Sequence, residues 1–181
     1  GDLVYGLRSL ADGYVPPMVY LSGEVLGVRL HNVDVDTLIF LSPFPAYLPE
    51  TARCHTSTWR RVQDTGIPPR AKVTGIYVNS ALAKTEANAN GFDEAIMLNG
   101  AGMVSECTGE NVFVARHGRL LSPPLSAGAL EGITQSTVMA IGRDFGFDIG
   151  LGDLSRSDLY IAEEMFVCGT AAEVSAVNSV D

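Results

Sequence analysis

Lysine is nearly missing from this chain. Of its 12 basic residues only Lys72 and Lys84 are lysines, so chemistry that needs a primary amine has two candidates. Cysteine is sparse too: Cys54, Cys107 and Cys168 are odd in number and far apart, which argues against a disulfide framework or a zinc site and for a reducing compartment. His31, His55 and His117 are scattered, without the spacing of a metal site. No apolar run approaches the roughly 20 residues that span a bilayer, and Gly1–Val4 do not open a secretory signal. The expectation is a cytoplasmic protein with no membrane segment. Positive charge is short as well: 12 basic against 21 acidic residues leave −9, which repels nucleic-acid backbones. One small phosphate remains compatible with that charge, because a cradle of backbone N–H groups holds it locally. There is no internal repeat and no low-complexity tract.

What is present suits one substantial folded domain. Hydrophobic residues make up 46% of the 181 and charged ones 18%, a balance that builds a core and excludes disorder. Met18–Leu21 and Thr37–Leu41 are short β-rich runs punctuated by Gly23, Gly27 and Pro43–Pro45. Residues 63–70 form a loop that leads to Lys72. Tyr77–Asn90 is alanine-rich and helical, with Gly91 as its stop. Glu94–Leu98, Met103–Val104, Asn111–Ala115 and Glu164–Cys168 read as strands, with turns at Asn99–Gly100 and His117–Gly118. A second helix is expected over Thr134–Phe145, ending at Gly146, and Ser155–Asp158 has the form of a capping box. Strands in clusters with helices between them predict an α+β, barrel-like mixed-sheet domain, not a regular βαβ repeat.

Four segments could carry chemistry, and each has a plain alternative. Lys72 is a tethering amine or a surface lysine; Lys84, in the polar part of its helix, reads as solvated. Gly132-Ile133-Thr134 opens a helix, where unpaired N–H groups favour an anion, or else Thr134 simply caps that helix. Gly169–Glu173 is an anion cradle or a strand-to-loop turn. Ser105–Asn111, with Glu106 and Glu110 four apart, is an acid/base pair or a polar turn.

Taken in order, Ala71-Lys72, Tyr77, Asn79-Ser80, Asp93-Glu94-Ala95, Ser105-Glu106, Gly109-Glu110-Asn111-Val112-Phe113, Pro123-Pro124-Leu125, Gly132-Ile133-Thr134, Gly169-Thr170-Ala171-Ala172-Glu173 and Ser179-Val180-Asp181 resemble the branched-chain aminotransferases. These are fold type IV enzymes that depend on pyridoxal 5'-phosphate (PLP). The resemblance is strong from about residue 34 onward. It implies that residues 1–181 are the PLP-binding large domain, with the family's N-terminal small domain and C-terminal stretch outside the chain. It implies transfer of an amino group between a branched-chain or other hydrophobic amino acid and a 2-oxo acid, by a ping-pong route and in a homodimer. Lys72 matches the lysine that holds the cofactor as a Schiff base and then shuttles the substrate proton. Glu106 matches the carboxylate at the pyridine nitrogen, and Tyr77 the partner of the phenolic oxygen. Leu130 matches the residue packed on the ring, and Ile133, Thr134 and Thr170 the phosphate-binding positions. Ala171 and Tyr14 match contacts to the substrate α-carboxylate, Phe44 and Tyr47 the side-chain pocket, and Glu110 a supporting carboxylate. Within the same fold, D-amino acid and amine transaminases and aminodeoxychorismate lyases are the neighbouring readings, with a non-catalytic remnant as a different class.

The chain departs from the pattern in places. Pro16 stands where the family carries an arginine for a second carboxylate, and proline has no donor to offer. Glutamate and 2-oxoglutarate are therefore expected to be poor substrates, unless Arg29 or Arg8 fills in. Glu131 replaces a usual proline and Cys107 a usual small residue, and the negative charge of Glu131 would oppose a nearby phosphate.

Overall fold

A computed structural model describes residues 13–181, so Arg8 lies outside the described residues. The described residues form two compact units that part between Tyr47 and Leu48. In the first, β1 (Gly13–Tyr14) pairs antiparallel with β4 (Ser42–Pro43), and β2 (Pro17–Leu21) with β3 (Val35–Ile39). The two expected β-runs are the second of these pairs, and residues 22–34 connect them.

The second unit is built on one mixed eight-stranded sheet, curled into a half barrel. In chain order its strands are β5 (Thr51–Arg60), β6 (Glu94–Leu98), β7 (Val104–Cys107), β8 (Asn111–Arg116), β9 (Arg119–Ser122), β10 (Asp148–Leu151), β11 (Glu164–Gly169) and β12 (Glu173–Val180). In space the order is β10-β9-β8-β11-β12-β5-β6-β7. The pairs β10–β9, β12–β5 and β5–β6 are parallel and the rest antiparallel. The α+β mixed-sheet expectation holds, and Glu94–Leu98 is the expected strand to the residue. Four of these eight strands went unread: β5, β9, β10 and β12. Along β5 the inward positions are Ala52, Cys54 and Thr56, small side chains that leave no apolar alternation to see.

Three helices lie against the sheet: α1 (Tyr77–Ala89), α2 (Ile133–Asp144) and the short α3 (Arg156–Tyr160). Helix α1 seats Ala83 and Ala87 on Ala95 and Met97 of β6; alanine at the contact lets the helix approach the sheet closely. Helix α2 places Met139 against Phe113, Ile149 and Cys168, and Phe113 stacks on Phe166 at 4.8 Å between centroids. The third helix opens with the expected capping box, Ser155 and Asp158 each reaching the other's backbone. His117 and Gly118 take φ of 51° and 72°, the left-handed pair that closes a two-residue hairpin between β8 and β9. Among the described residues, no helix is long and apolar enough to cross a membrane.

Candidate functional site

The loop from β5 runs through Pro68-Pro69 into a single 3-10 turn, Pro69–Ala71, and Lys72 caps it. Its N–H bonds the Pro69 carbonyl at 3.1 Å, and its φ of 49° is left-handed, a region that non-glycine residues enter at a cost of roughly 1–3 kcal/mol and that gathers at functional sites. A second short turn, Thr74–Ile76, feeds α1, so that Tyr77 stands at the helix start with its ring centroid 5.6 Å from Lys72 Nζ. Lys72 and Tyr77 are both exposed.

Opposite them β7 carries Glu106. Its carboxylate is buried and bonded on both oxygens: Oε1 pairs with the Arg61 guanidinium, and Oε2 accepts the Leu130 N–H at 2.8 Å and Asn111 Nδ2 at 3.4 Å. Burial pushes the Glu106 carboxyl above its usual range; Arg61, the Leu130 N–H and Lys72 oppose that push. Lys72, Tyr77, Glu106 and Leu130 line one cavity with Arg61, Ile76, Thr108 and Gly109. The four residues expected around the cofactor ring are thus brought together. A wider hollow, bounded by residues 62–65, 99–101 and 125–128, holds none of them.

Two further expected segments adjoin this cavity. Two residues beyond Leu130, Gly132 is the N-cap of α2, and no side chain caps the helix. Ile133 and Thr134 therefore occupy its first turn with N–H groups unspent, and Thr134 is not the cap. Side-chain atoms of Asn111 bond Leu130 O at 2.9 Å and crowd Gly132 so closely that a Cβ there would overlap the Asn111 amide oxygen. Gly132→Ala is expected to cost about 1–3 kcal/mol and to loosen the Asn111–Glu106–Leu130 cluster, read as a lower urea midpoint. The second segment, Thr170-Ala171-Ala172, is the tip of the β11–β12 hairpin, with Glu173 left-handed at φ 54°. It follows Gly169, whose backbone lies against Gly109 of the cavity wall: a Cβ at 169 would stand 3.3 Å from Gly109 O. Tyr14, Phe44 and Tyr47 belong to the first unit. There Tyr14 lies 4.9 Å from Phe44 and Phe44 stacks on Tyr47 at 6.2 Å, an aromatic trio.

Some expectations change. Lys84 is not a solvated helix residue: Nζ bonds the Asp93 carbonyl at 2.6 Å and Glu94 Oε2 at 2.5 Å, and Glu94 is completely buried. The strand-borne partner arrives ten residues later, which a helix-only reading does not see. Glu131 does not stand as an uncompensated charge, because Arg70 pairs with it at 2.8 Å. The three thiols are free and buried; burial lifts Cys54 and Cys168 to about 12 and Cys107 far above its usual value, so none is a ready nucleophile.

Glu110, expected as a support, is buried, with Oε2 accepting the Gly109 N–H at 3.2 Å and Oε1 unpartnered among the described residues. Burial, then the nearby Glu94, raises it to about 8, so at neutral pH it is held as the acid. The folded chain keeps a proton that the unfolded chain releases near 4.5, so this contribution to stability is full below that pH and fades as pH rises to about 8. Glu110→Gln keeps the neutral shape. It is expected to match the wild type near pH 4 and to exceed it at about pH 8.5, by up to roughly 1.4 kcal/mol per pH unit crossed, in urea titrations.

Arg61 is the participant that the sequence did not reveal. It directly follows the exposed Arg60, and nothing in a run of two arginines marks one as 7% exposed and cavity-lining.

Comparison with known proteins adds an independent line. The family model for class IV amino-transferases matches residues 4–180. A probable branched-chain-amino-acid aminotransferase of Synechocystis sp. is 40% identical over 169 residues, 93% of this chain and 55% of that protein. The crystal structure of a branched-chain aminotransferase from Thermoproteus uzoniensis with norvaline superposes with a TM-score of 0.92 at 40% identity, over 99% of this chain and 62% of that one. The branched-chain amino acid aminotransferase of Thermobaculum terrenum, in its PLP form, gives 0.91 at 35% identity, over 99% and 60%. The chain spans a little over half the length of the curated relatives it matches.

Proposed function

Because the chain belongs to the class IV amino-transferase family, we propose that it holds pyridoxal 5'-phosphate on Lys72 and moves an amino group between a branched-chain or other hydrophobic amino acid and a 2-oxo acid. The observation that carries this reading is the convergence of Lys72, Tyr77, Glu106 and Leu130 on one cavity. The donor set fits the cofactor: a primary amine, a buried carboxylate, a phenol, an apolar wall, and beside them a helix start that no side chain caps. When bound, PLP supplies an electron sink for the pair left on the substrate α-carbon.

The chain's own residues divide the remaining work. Lys72 would tether the cofactor through its amine and, when free, would carry the proton between the substrate α-carbon and C4′ of the cofactor. Glu106, kept from water, holds the proton on the ring nitrogen. Tyr77 would donate to the ring's phenolic oxygen, and Leu130 would offer an apolar side chain to one face of the ring. The N–H groups of Ile133 and Thr134, with the Thr134 and Thr170 hydroxyls, take the phosphate at the positive end of α2. The roles of Ala171, Tyr14, Phe44 and Tyr47 toward substrate rest on the sequence resemblance. So do the assignment of residues 1–181 to the large domain, the homodimer and the cytoplasmic setting.

The test is a substrate panel with the PLP-loaded chain: L-leucine, L-isoleucine, L-valine, L-glutamate, D-alanine and 1-phenylethylamine against hydrophobic 2-oxo acids. The branched-chain L-amino acids are expected to turn over fastest, with L-glutamate behind them because Pro16 offers no donor to a second carboxylate. Preference for D-alanine or for the amine would overturn the substrate class, and transfer from none of them would favour a non-catalytic remnant.

A further inference from the structure

Arg61 continues β5 by one residue, its N–H bonding Leu98 O at 2.9 Å, and turns its side chain inward until 6% of it is exposed. Each guanidinium nitrogen has a separate acceptor. Nε reaches Gly128 O at 3.4 Å, Nη1 reaches Ser80 Oγ at 3.1 Å, and Nη2 pairs with Glu106 Oε1. These acceptors come from the loop before α2, the first turn of α1, and β7, so three elements converge on one side chain. Gly128 makes room for it: its φ is +90°, and a Cβ there would stand 3.5 Å from Arg61 Cγ and 3.3 Å from Ser105 Oγ. A planar fork with three fixed acceptors sets direction as well as charge, which an ammonium does not.

The partner is fixed in the same way. Glu106 is 6% exposed in its side chain, and donors from Arg61, Leu130 and Asn111 hold both of its oxygens. The charged groups that face it are Arg61 and Lys72, with Glu110 as the nearby acid. Arg61 and Glu106 both line the cavity that holds Lys72 and Tyr77.

We infer that Arg61 is a positioning residue, which keeps Glu106 a carboxylate of fixed orientation and through it sets the protonation of the ring nitrogen. This deepens the PLP reading and, in its second half, rests on it.

Two measurements separate the halves. The first is a ¹³C-carboxyl NMR titration of Glu106 on the full chain without PLP, assigned with Glu106→Gln. Arg61→Met is expected to raise the midpoint by about one to three pH units, and Arg61→Lys to restore part of it by returning the charge without the fork. The second uses PLP labelled with ¹⁵N in the ring. The nitrogen should read as protonated across neutral pH in the wild type and lose that proton over the same range in Arg61→Met, which a merely structural role would not bring about. An unmoved Glu106 midpoint overturns the inference. A moved midpoint with an unchanged ring signal overturns its second half. If the wild type takes up no PLP, the cofactor reading falls, and the midpoint alone still decides whether Arg61 holds the carboxylate. Should Arg61→Met fail to fold, Ser80→Ala removes one anchor and leaves the ion pair. A smaller rise of the midpoint then supports the inference, and none overturns it.

Discussion

Lys72→Ala is expected to end covalent attachment of PLP and to lower transamination by roughly a thousandfold or more, since the function proposed above assigns the same amine as tether and as acid/base. The fold should survive. Lys72 is exposed, caps a three-residue turn in a left-handed conformation, and no packing of the core runs through it. Alanine is no better suited to a φ of 49° than lysine, so the backbone strain is unchanged and a small stability effect is expected. Circular dichroism and a urea midpoint near the wild type, together with absence of the cofactor's visible band, would make the loss chemical. A variant that keeps the band would place the tether elsewhere.

Lys84→Ala is expected to do the opposite, sparing the chemistry and costing stability. Glu94 is completely buried in β6 and accepts from Thr108 N at 3.2 Å, Thr108 Oγ1 at 2.6 Å and Ala95 N at 2.7 Å, with Lys84 as the cation at its other oxygen. Removing the cation leaves the buried carboxylate with hydrogen bonds but no counter-charge, an effect of up to about 3–5 kcal/mol. A surface lysine would cost within about 0.5 kcal/mol, so the urea midpoint distinguishes the two environments sharply. Glu94→Gln alone should also destabilise, and the double variant should lose less than the sum of the singles, since each single change strands the other group. Additive losses would contradict the pairing.

The contrast between the two lysines shows what sequence can and cannot carry. Local punctuation was legible: Gly91 after α1, the His117–Gly118 turn, the Ser155–Asp158 box and the apolar run of β6 each act within a few residues. Lys72, Tyr77, Glu106 and Leu130 were singled out by the family resemblance and not by their own spacing, and the fold gathers them on one cavity. What stayed hidden depends on distant partners. β12 and β5 pair across more than a hundred residues of chain, Thr51 opposite Ala176, and the polar side chains of both leave no apolar stripe to announce them. Arg61 and Lys84 look like ordinary surface cations until β7 and β6 bring Glu106 and Glu94 to them.

Reductive trapping shows whether Lys72 holds the cofactor, as proposed. The full chain is incubated with PLP, reduced with borohydride, digested and mapped by mass spectrometry. The reduced adduct is expected on the peptide that contains Lys72. An adduct on Lys84 alone, or no adduct at saturating PLP, would contradict it.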